Sequence, residues 1–194
     1  MLLLGSLPEE RMTEFEALGE SYVSGREIFD GKVLHVFEDT VRLPDGAEAS
    51  REIIKHLGAV CIVPLTDDGK MIVERQFRYA VGKVLTEIPA GKLDFAGEDY
   101  LDAARRELRE ETGLSADEWS ELGIFYPAPA YSGETIMMFL ARGLHEGERE
   151  LDEDEFLDVK AVPVAQLLEE VMRGEIPDSK TQMAVLKAAR ILGI

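Results

Sequence analysis

The chain is 194 residues long with a mass of 21.6 kDa; with 45% apolar and 31% charged residues it suits one domain with a small appendage rather than a disordered chain. Its 21 Lys and Arg face 39 Asp and Glu, and the net charge of −18 excludes a general nucleic-acid binder, whose footprint is basic. No apolar run approaches the roughly 18 residues of a membrane span, residues 2–4 are too short for a signal-peptide core, and the single Cys61 excludes an internal disulfide framework and argues against a cysteine zinc site, so a soluble cytoplasmic protein is expected.

In chain order, the acidic residues 1–20 predict a short helix or a loose arm. Residues 20–56 predict strands, with β-branched and aromatic residues concentrated at 33–37 and 40–43 and a further extended run at 52–56. Leu43-Pro44-Asp45-Gly46 is a turn signal, because Pro presets φ and Gly accepts the left-handed position. The short apolar run at 58–65 (GAVCIVPL) suits a buried central strand. Asp67-Asp68-Gly69 predicts a hairpin into a strand at 71–76, and 85–88 predicts another strand, ending at Pro89-Ala90-Gly91. A helix is predicted over about 99–112 with Gly113 as its stop. Strands follow at 121–126 and 135–143 around a Pro-rich loop, then an acidic loop at 148–155 and a strand at 157–162. Val164, Leu167, Leu168, Val171 and Met172 form an amphipathic helical stripe. Ser179 and Gln182 predict a capping box for a last helix. The order implies an α+β fold with a mixed sheet.

The informative segment is 91–114, GKLDFAGEDYLDAARRELREETGL. At about 100° per residue, Glu111 lies about 40° from Glu107 and Glu110 about 60° to the other side, so three carboxylates share one helical face. Leu101, Ala104 and Leu108 form a separate apolar face that can anchor the helix on a sheet. Like charges packed together destabilise a helix, and cations relieve that cost. Oxygen ligands without a Cys or His cluster favour Mg²⁺ or Mn²⁺. Spacing alone favours a solvated acidic face, because Glu-rich helices are common.

The full pattern narrows these readings. Glu98, seven residues, then Arg106-Glu107-Leu108-x-Glu110-Glu111-x-Gly113-Leu114 resembles the Nudix hydrolase signature. One departure is that Gly91 and Glu98 are separated by six residues rather than five, which reads as a one-residue loop insertion. The resemblance implies an α/β/α sandwich with a mixed sheet and Mg²⁺-dependent hydrolysis of a nucleoside diphosphate linked to another group. It implies Glu107 and Glu111 as the main metal ligands, Glu110 as a further ligand or water-orienting residue, and Arg106 as the residue orienting the glutamates. Without it, Arg106 reads as half of a surface pair with Glu110.

Further segments resemble the ADP-ribose pyrophosphatase branch of that family: Glu87-Ile88-Pro89-Ala90-Gly91, Arg51-Glu52-Ile53-Ile54-Lys55-His56, Gln76-Phe77-Arg78, Pro129-Ala130-Tyr131-Ser132-Gly133-Glu134 and Ile176-Pro177-Asp178-Ser179-Lys180-Thr181. This resemblance implies the Ala90 carbonyl as a metal ligand and Arg51 and Arg78 as contacts to the diphosphate or terminal ribose. It implies Pro129 as part of the substrate loop, and Glu87 as a ribose contact or else a solvated strand end. Either Glu155 or Glu153 would be the loop carboxylate serving the attacking water. ADP-ribose would yield AMP and ribose 5-phosphate; the alternatives are another nucleotide sugar such as GDP-mannose, a dinucleotide, or a non-catalytic module that binds ADP-ribose. Residues 1–55 would form an N-terminal antiparallel β subdomain serving dimerisation and the substrate pocket of a homodimer, and 56–194 the Nudix domain. Trp119 reads as a helix-end or surface packing residue, with Tyr22, Phe29 and Phe37 as other aromatic platforms. His35, His56 and His145 do not cluster, and Cys61 reads as core.

Overall fold

The β-branched and aromatic residues of the first 56 positions build a sheet of their own. The computed structural model describes residues 17–151 and 156–194. These divide into two compact units, one running up to His56 and including Ala128–Gly133, the other comprising Leu57–Pro127 and Glu134–Ile194.

In the first unit β1 (Ser21–Asp30), β2 (His35–Arg42) and β3 (Glu48–Lys55) form an antiparallel sheet in that order. The two runs predicted at 33–37 and 40–43 are one continuous strand. The predicted turn forms: the Gly46 N–H donates to the Leu43 carbonyl at 2.9 Å, and the Ala47 N–H donates to Asp45 Oδ1 at 2.9 Å. The loop Ala128–Gly133 runs beside the end of β3, where the Ile54 N–H donates to the Tyr131 carbonyl at 2.8 Å and the Gly133 N–H to the Ile54 carbonyl at 2.9 Å. All of β1 is exposed, including Tyr22, Ile28 and Phe29.

In the second unit the apolar run forms β4 (Ala59–Pro64), every residue of which is buried. It pairs antiparallel with β7 (Ala90–Lys92) and parallel with β9 (Ile136–Glu146), which in turn pairs with β8 (Leu114–Phe125), giving the mixed sheet β7-β4-β9-β8. A second, antiparallel sheet has the order β10-β5-β6, from β5 (Lys70–Arg78), β6 (Lys83–Glu87) and β10 (Asp158–Pro163). The predicted hairpin at Asp67-Asp68-Gly69 is therefore only a turn. The Gly69 N–H reaches the Thr66 carbonyl at 3.0 Å and a single bridge joins Leu65 to Met71. Both edges of β4 are taken by β7 and β9, so the chain leaves the turn for the other sheet.

Three α-helices lie wholly within the described residues: α1 (Tyr100–Thr112), α2 (Val164–Met172) and α3 (Ser179–Leu192). The two-residue period of β4 sorts them. Ala59, Cys61 and Val63 point with Met138 and Leu140 into a core closed by Val164, Leu167, Ala184, Val185 and Ala188 of α2 and α3. Val60 and Ile62 point with Phe139 and Ala141 the other way, onto Ala103, Ala104 and Leu108 of α1. Helices thus cover both faces, the sandwich expected from the sequence. No helix among the described residues is long and apolar enough to cross a membrane.

Two local expectations are corrected. Trp119 sits inside β8, not at a helix end; it meets Phe139 edge to face at 6.2 Å and its Nε1–H donates to the Ala116 carbonyl at 3.1 Å. Strand β8 starts at Leu114, directly after the helix, because Leu114, Ala116 and Trp119 all pack on the α1-side core. Helix α3 is capped by Asp178 rather than Ser179: Asp178 Oδ2 accepts from the Thr181 N–H at 2.9 Å and from its hydroxyl at 2.6 Å. Gln182 instead donates to the Ile176 carbonyl at 2.8 Å.

Candidate active site

Helix α1 is set by its ends and its apolar face. Asp99 Oδ1 accepts from the N–H groups of Leu101 and Asp102 at 2.9 and 3.2 Å, and at the other end the Gly113 N–H donates to the Arg109 carbonyl at 2.8 Å. With Ala103, Ala104 and Leu108 on the sheet, the acidic face turns toward β7. Glu107 and Glu111 are 9% and 5% exposed, so the solvated-face reading does not hold for them. Glu111 Oε2 accepts from the Ala90 N–H at 2.9 Å. Gly91 has no side chain for a reason: a β-carbon built there would fall inside the Glu107 carboxylate.

Arg106 ties these acids together and is more than half of a surface pair. Its Nη1 donates to Glu107 at 2.7 Å and Glu110 at 3.3 Å; its Nη2 donates to the Lys92 carbonyl at 3.2 Å and Glu98 at 3.4 Å; its Nε faces Asp94 at 3.3 Å. Burial works against the cation, but Glu107, Asp94 and Glu98 outweigh it and hold the guanidinium pKa above its ordinary value. The loop insertion leaves Glu98 in this cluster. Its carboxylate accepts from the Asp94 N–H at 2.6 Å, and its side chain is 9% exposed.

The donors offered by Glu107, Glu110, Glu111 and the backbone at Ala90 are all oxygens, which suits a hard divalent cation. Among the described residues no group of three or more His, Cys, Asp or Glu side chains is arranged to hold a metal ion, so side chains supply at most part of a shell. An open, partial shell of this kind fits an ion such as Mg²⁺, which completes its coordination with water and substrate phosphate.

A second charged cluster joins β5, β6 and α3. Arg78 clamps Glu87 with both ends of a fork, Nε to Oε1 at 2.7 Å and Nη2 to Oε2 at 2.8 Å. Lys180 Nζ donates to the same Glu87 Oε2 and faces Asp178 Oδ1 at 3.1 Å. Glu87 is only 1% exposed, which overturns the reading of it as a solvated strand end. Burial raises its pKa, but the hydrogen bond from Arg78 and the charge of Lys180 outweigh this and hold it below the ordinary carboxyl value. Arg78 is in turn held above its usual value, first by Glu87, with Glu74 and Glu111 contributing through space. Arg78 thus lies within electrostatic reach of the acidic face of α1. From the sequence Lys180 carries no role of its own, only membership of the segment 176–181, because 93 residues separate it from Glu87 and no local pattern joins them.

The remaining candidates lie elsewhere. Arg51 is in the first unit, where its Nε donates to Glu20 at 2.9 Å and its Nη2 to the other Glu20 oxygen; this pairing raises its pKa. Pro129, Tyr131, Ile53, Ile54 and His56 line a groove of about 520 Å³ in the same unit. Glu153 and Glu155 lie outside the described residues. Tyr22 and Phe29 are exposed, and Lys55 Nζ lies 3.6 Å from the centre of the Phe37 ring. His35 pairs with Asp30 at 2.5 Å and His145 with Asp117 at 2.8 Å. Cys61 is buried in the core, and burial pushes its thiol up to about 12.

Residues 55–182 match the family described as the NUDIX domain. An ADP-ribose pyrophosphatase of Bacillus subtilis is 41% identical over 172 residues, covering 88% of this chain and 92% of that protein. A methanol dehydrogenase activator of Bacillus methanolicus is 38% identical over 168 residues, covering 86% and 90%. Among solved structures, that of an ADP compounds hydrolase superimposes with a TM-score of 0.77 at 22% identity over 89% of this chain and 93% of the other.

Proposed function

This chain belongs to the Nudix family, and from that premise we propose that it hydrolyses the diphosphate linkage of ADP-ribose to AMP and ribose 5-phosphate. The observation that carries the reading is a pair of neighbouring clusters in one unit: the carboxylates of α1 held against Ala90–Gly91, and a forked arginine, Arg78, within electrostatic reach of Glu111. The choice of ADP-ribose is supported by near full-length similarity to the Bacillus subtilis enzyme.

Glu107, Glu111 and the Ala90 carbonyl would hold a divalent ion, Mg²⁺ with Mn²⁺ as a substitute, and Glu110 would serve as a further ligand or orient water. Such an ion neutralises diphosphate oxygens and lowers the pKa of the attacking water. Arg106 holds the glutamates in register, since it bonds both Glu107 and Glu110. Arg78 presents its guanidinium to the diphosphate, with Glu87 supporting it from behind. Water oxygen bonds to phosphorus and the diphosphate P–O bond breaks. The water proton passes to a carboxylate of the acidic loop, Glu155 or Glu153.

Residues 1–55 would act as a dimerisation element that, with Arg51, helps to complete a substrate pocket in a homodimer. The exposed Tyr22, Ile28 and Phe29 of β1 support this, because a lone three-stranded sheet with uncovered aromatic residues is a surface suited to a second copy. A reducing cytoplasmic setting accords with a lone, buried cysteine. A substrate panel with Mg²⁺ tests the function. ADP-ribose should be cleaved to AMP in preference to GDP-mannose and dinucleotides. Cleavage of another nucleotide sugar but not ADP-ribose refutes the substrate. ADP-ribose binding without any cleavage in the panel makes the chain a binding module.

A further inference from the structure

The segment from Glu87 to Ala90 makes three separate attachments. At Glu87 it meets Arg78 and Lys180; at Ile88 its N–H donates to Thr181 Oγ1 at 3.0 Å; at Ala90 its N–H holds Glu111. Two of the three run to the first turn of α3, whose cap Asp178 holds both Thr181 and Lys180. Thr181 fixes the backbone of this segment. Lys180 does something different, because it touches a side-chain oxygen that Arg78 also uses.

A carboxylate as deeply buried as Glu87 needs compensation for its charge. A forked arginine alone provides it, but then the fork and the carboxylate neutralise one another and can pivot together. A second cation from a fixed helix end changes both features. It anchors Glu87 Oε2 from behind, and it takes up part of the negative charge facing Arg78. The guanidinium is left fixed in plane, with 42% of its side chain exposed and, among the described residues, no hydrogen bond from its Nη1. The N–H donors of that edge are of the kind that suits a phosphate oxygen.

We propose that Lys180 is a positioning residue for Arg78: through Glu87 it fixes the direction and preserves the positive field of the guanidinium edge that meets an anionic group of the substrate. This rests on the reading of Arg78 as a diphosphate contact. The competing role is purely structural, in which Lys180 only neutralises a buried acid.

A double-mutant cycle on ADP-ribose hydrolysis separates the two. Lys180→Met keeps the aliphatic stem and removes the charge. It should raise KM about tenfold, the scale of one weakened charge-assisted contact, with kcat changed less than about threefold. Lys180→Arg should restore most of the KM. In an Arg78→Ala background, Lys180→Met should add less than about twofold, since nothing remains to position. Equal increments in both backgrounds, or a lower melting temperature with unchanged KM, overturn the proposal. If Lys180→Met does not fold, Lys180→Gln, which removes the charge and keeps a polar donor, takes its place in the cycle with the same expected coupling. An Arg78→Ala variant with wild-type KM removes the substrate role of Arg78 and this inference with it. A raised KM in Arg78→Ala but not in Lys180→Met removes the inference alone. Without turnover, the cycle is read as the Kd of ADP-ribose by calorimetry, and a wild-type chain that neither cleaves nor binds it overturns both.

Discussion

Replacing Glu111 by Gln separates the chemistry of the site from the stability of the fold. Glu111 is 5% exposed and accepts the Ala90 N–H at 2.9 Å, and an amide oxygen can accept that bond in the same place. The change therefore leaves no backbone donor unmet, while the new NH₂ group costs on the order of 1 kcal/mol if it lacks an acceptor. Against this stands relief of like charge. Neighbours one turn apart on a helix are about 6 Å apart, and two such charges at an effective dielectric of about 20 repel by about 3 kcal/mol before compensation. Arg106 neutralises much of Glu107, so only a fraction of that relief remains, about 1 kcal/mol. The two contributions cancel to within about 1 kcal/mol, and the metal-free Glu111→Gln protein should melt within about 4 °C of wild type. Turnover should fall by about 10²–10³, the loss seen when one group that stabilises developing charge is removed. Glu111→Ala is the control: it leaves the Ala90 N–H bare and should cost about 1–3 kcal/mol beyond the loss of activity. Melting curves with and without Mg²⁺, and turnover on the same preparations, decide the matter. Turnover within about threefold of wild type would remove Glu111 from the reaction and refute the reasoning.

Gly91→Ala should force the β-carbon into the Glu107 carboxylate, costing about 1–3 kcal/mol and most of the activity; wild-type turnover and melting would show that the approach of β7 to α1 is not close. Glu87 has a depressed carboxyl pKa in the folded chain, so its contribution to stability is present above the ordinary Glu value and lost as pH falls through the lower folded value. In Arg78→Met the folded value rises, so the loss on acidification should be smaller than in wild type and end at a higher pH; superimposable plots of melting temperature against pH between 7 and 3 would contradict it. Light scattering should give a dimer, and remixed chains carrying Arg51→Ala in one and Glu111→Gln in the other should regain activity at one of two sites. A fully active monomer refutes the assembly, and a dimer without rescue refutes the sharing of Arg51.

What could be read from the sequence depended on how far apart the partners lie. Helix α1 was legible because its cap Asp99, its stop Gly113 and its apolar spacing are local, and the same period places Glu107 beside Glu111. The buried strand β4 was legible from composition alone. The hairpin after it was misread because whether β5 joins β4 depends on β7 and β9, and β9 begins 72 residues after β4 ends (136 − 64). Trp119 was misplaced because strand β8 lacks a clean alternation and carries a bulge between Glu121 and Gly123. Asp178 and Ser179 are both good caps, and only the path of the backbone chooses between them. The resemblance to the ADP-ribose pyrophosphatase branch marked Arg78 and Glu87 as candidates but did not show that they bind each other or that Lys180 completes them.

Strand β7 ends its sheet, pairing with β4 alone. Such a border normally offers unpaired donors to any passing extended chain. Here Ala90 stands opposite Cys61, but its N–H is occupied by Glu111. The Glu111 carboxylate therefore also occupies a donor on the border of the sheet. Shortening this side chain would uncover a strand-recruiting donor, so self-association on storage should grow in Glu111→Ala and stay at the wild-type level in Glu111→Gln. Pressure to keep an acceptor at position 111 would then persist even in a descendant that had given up catalysis.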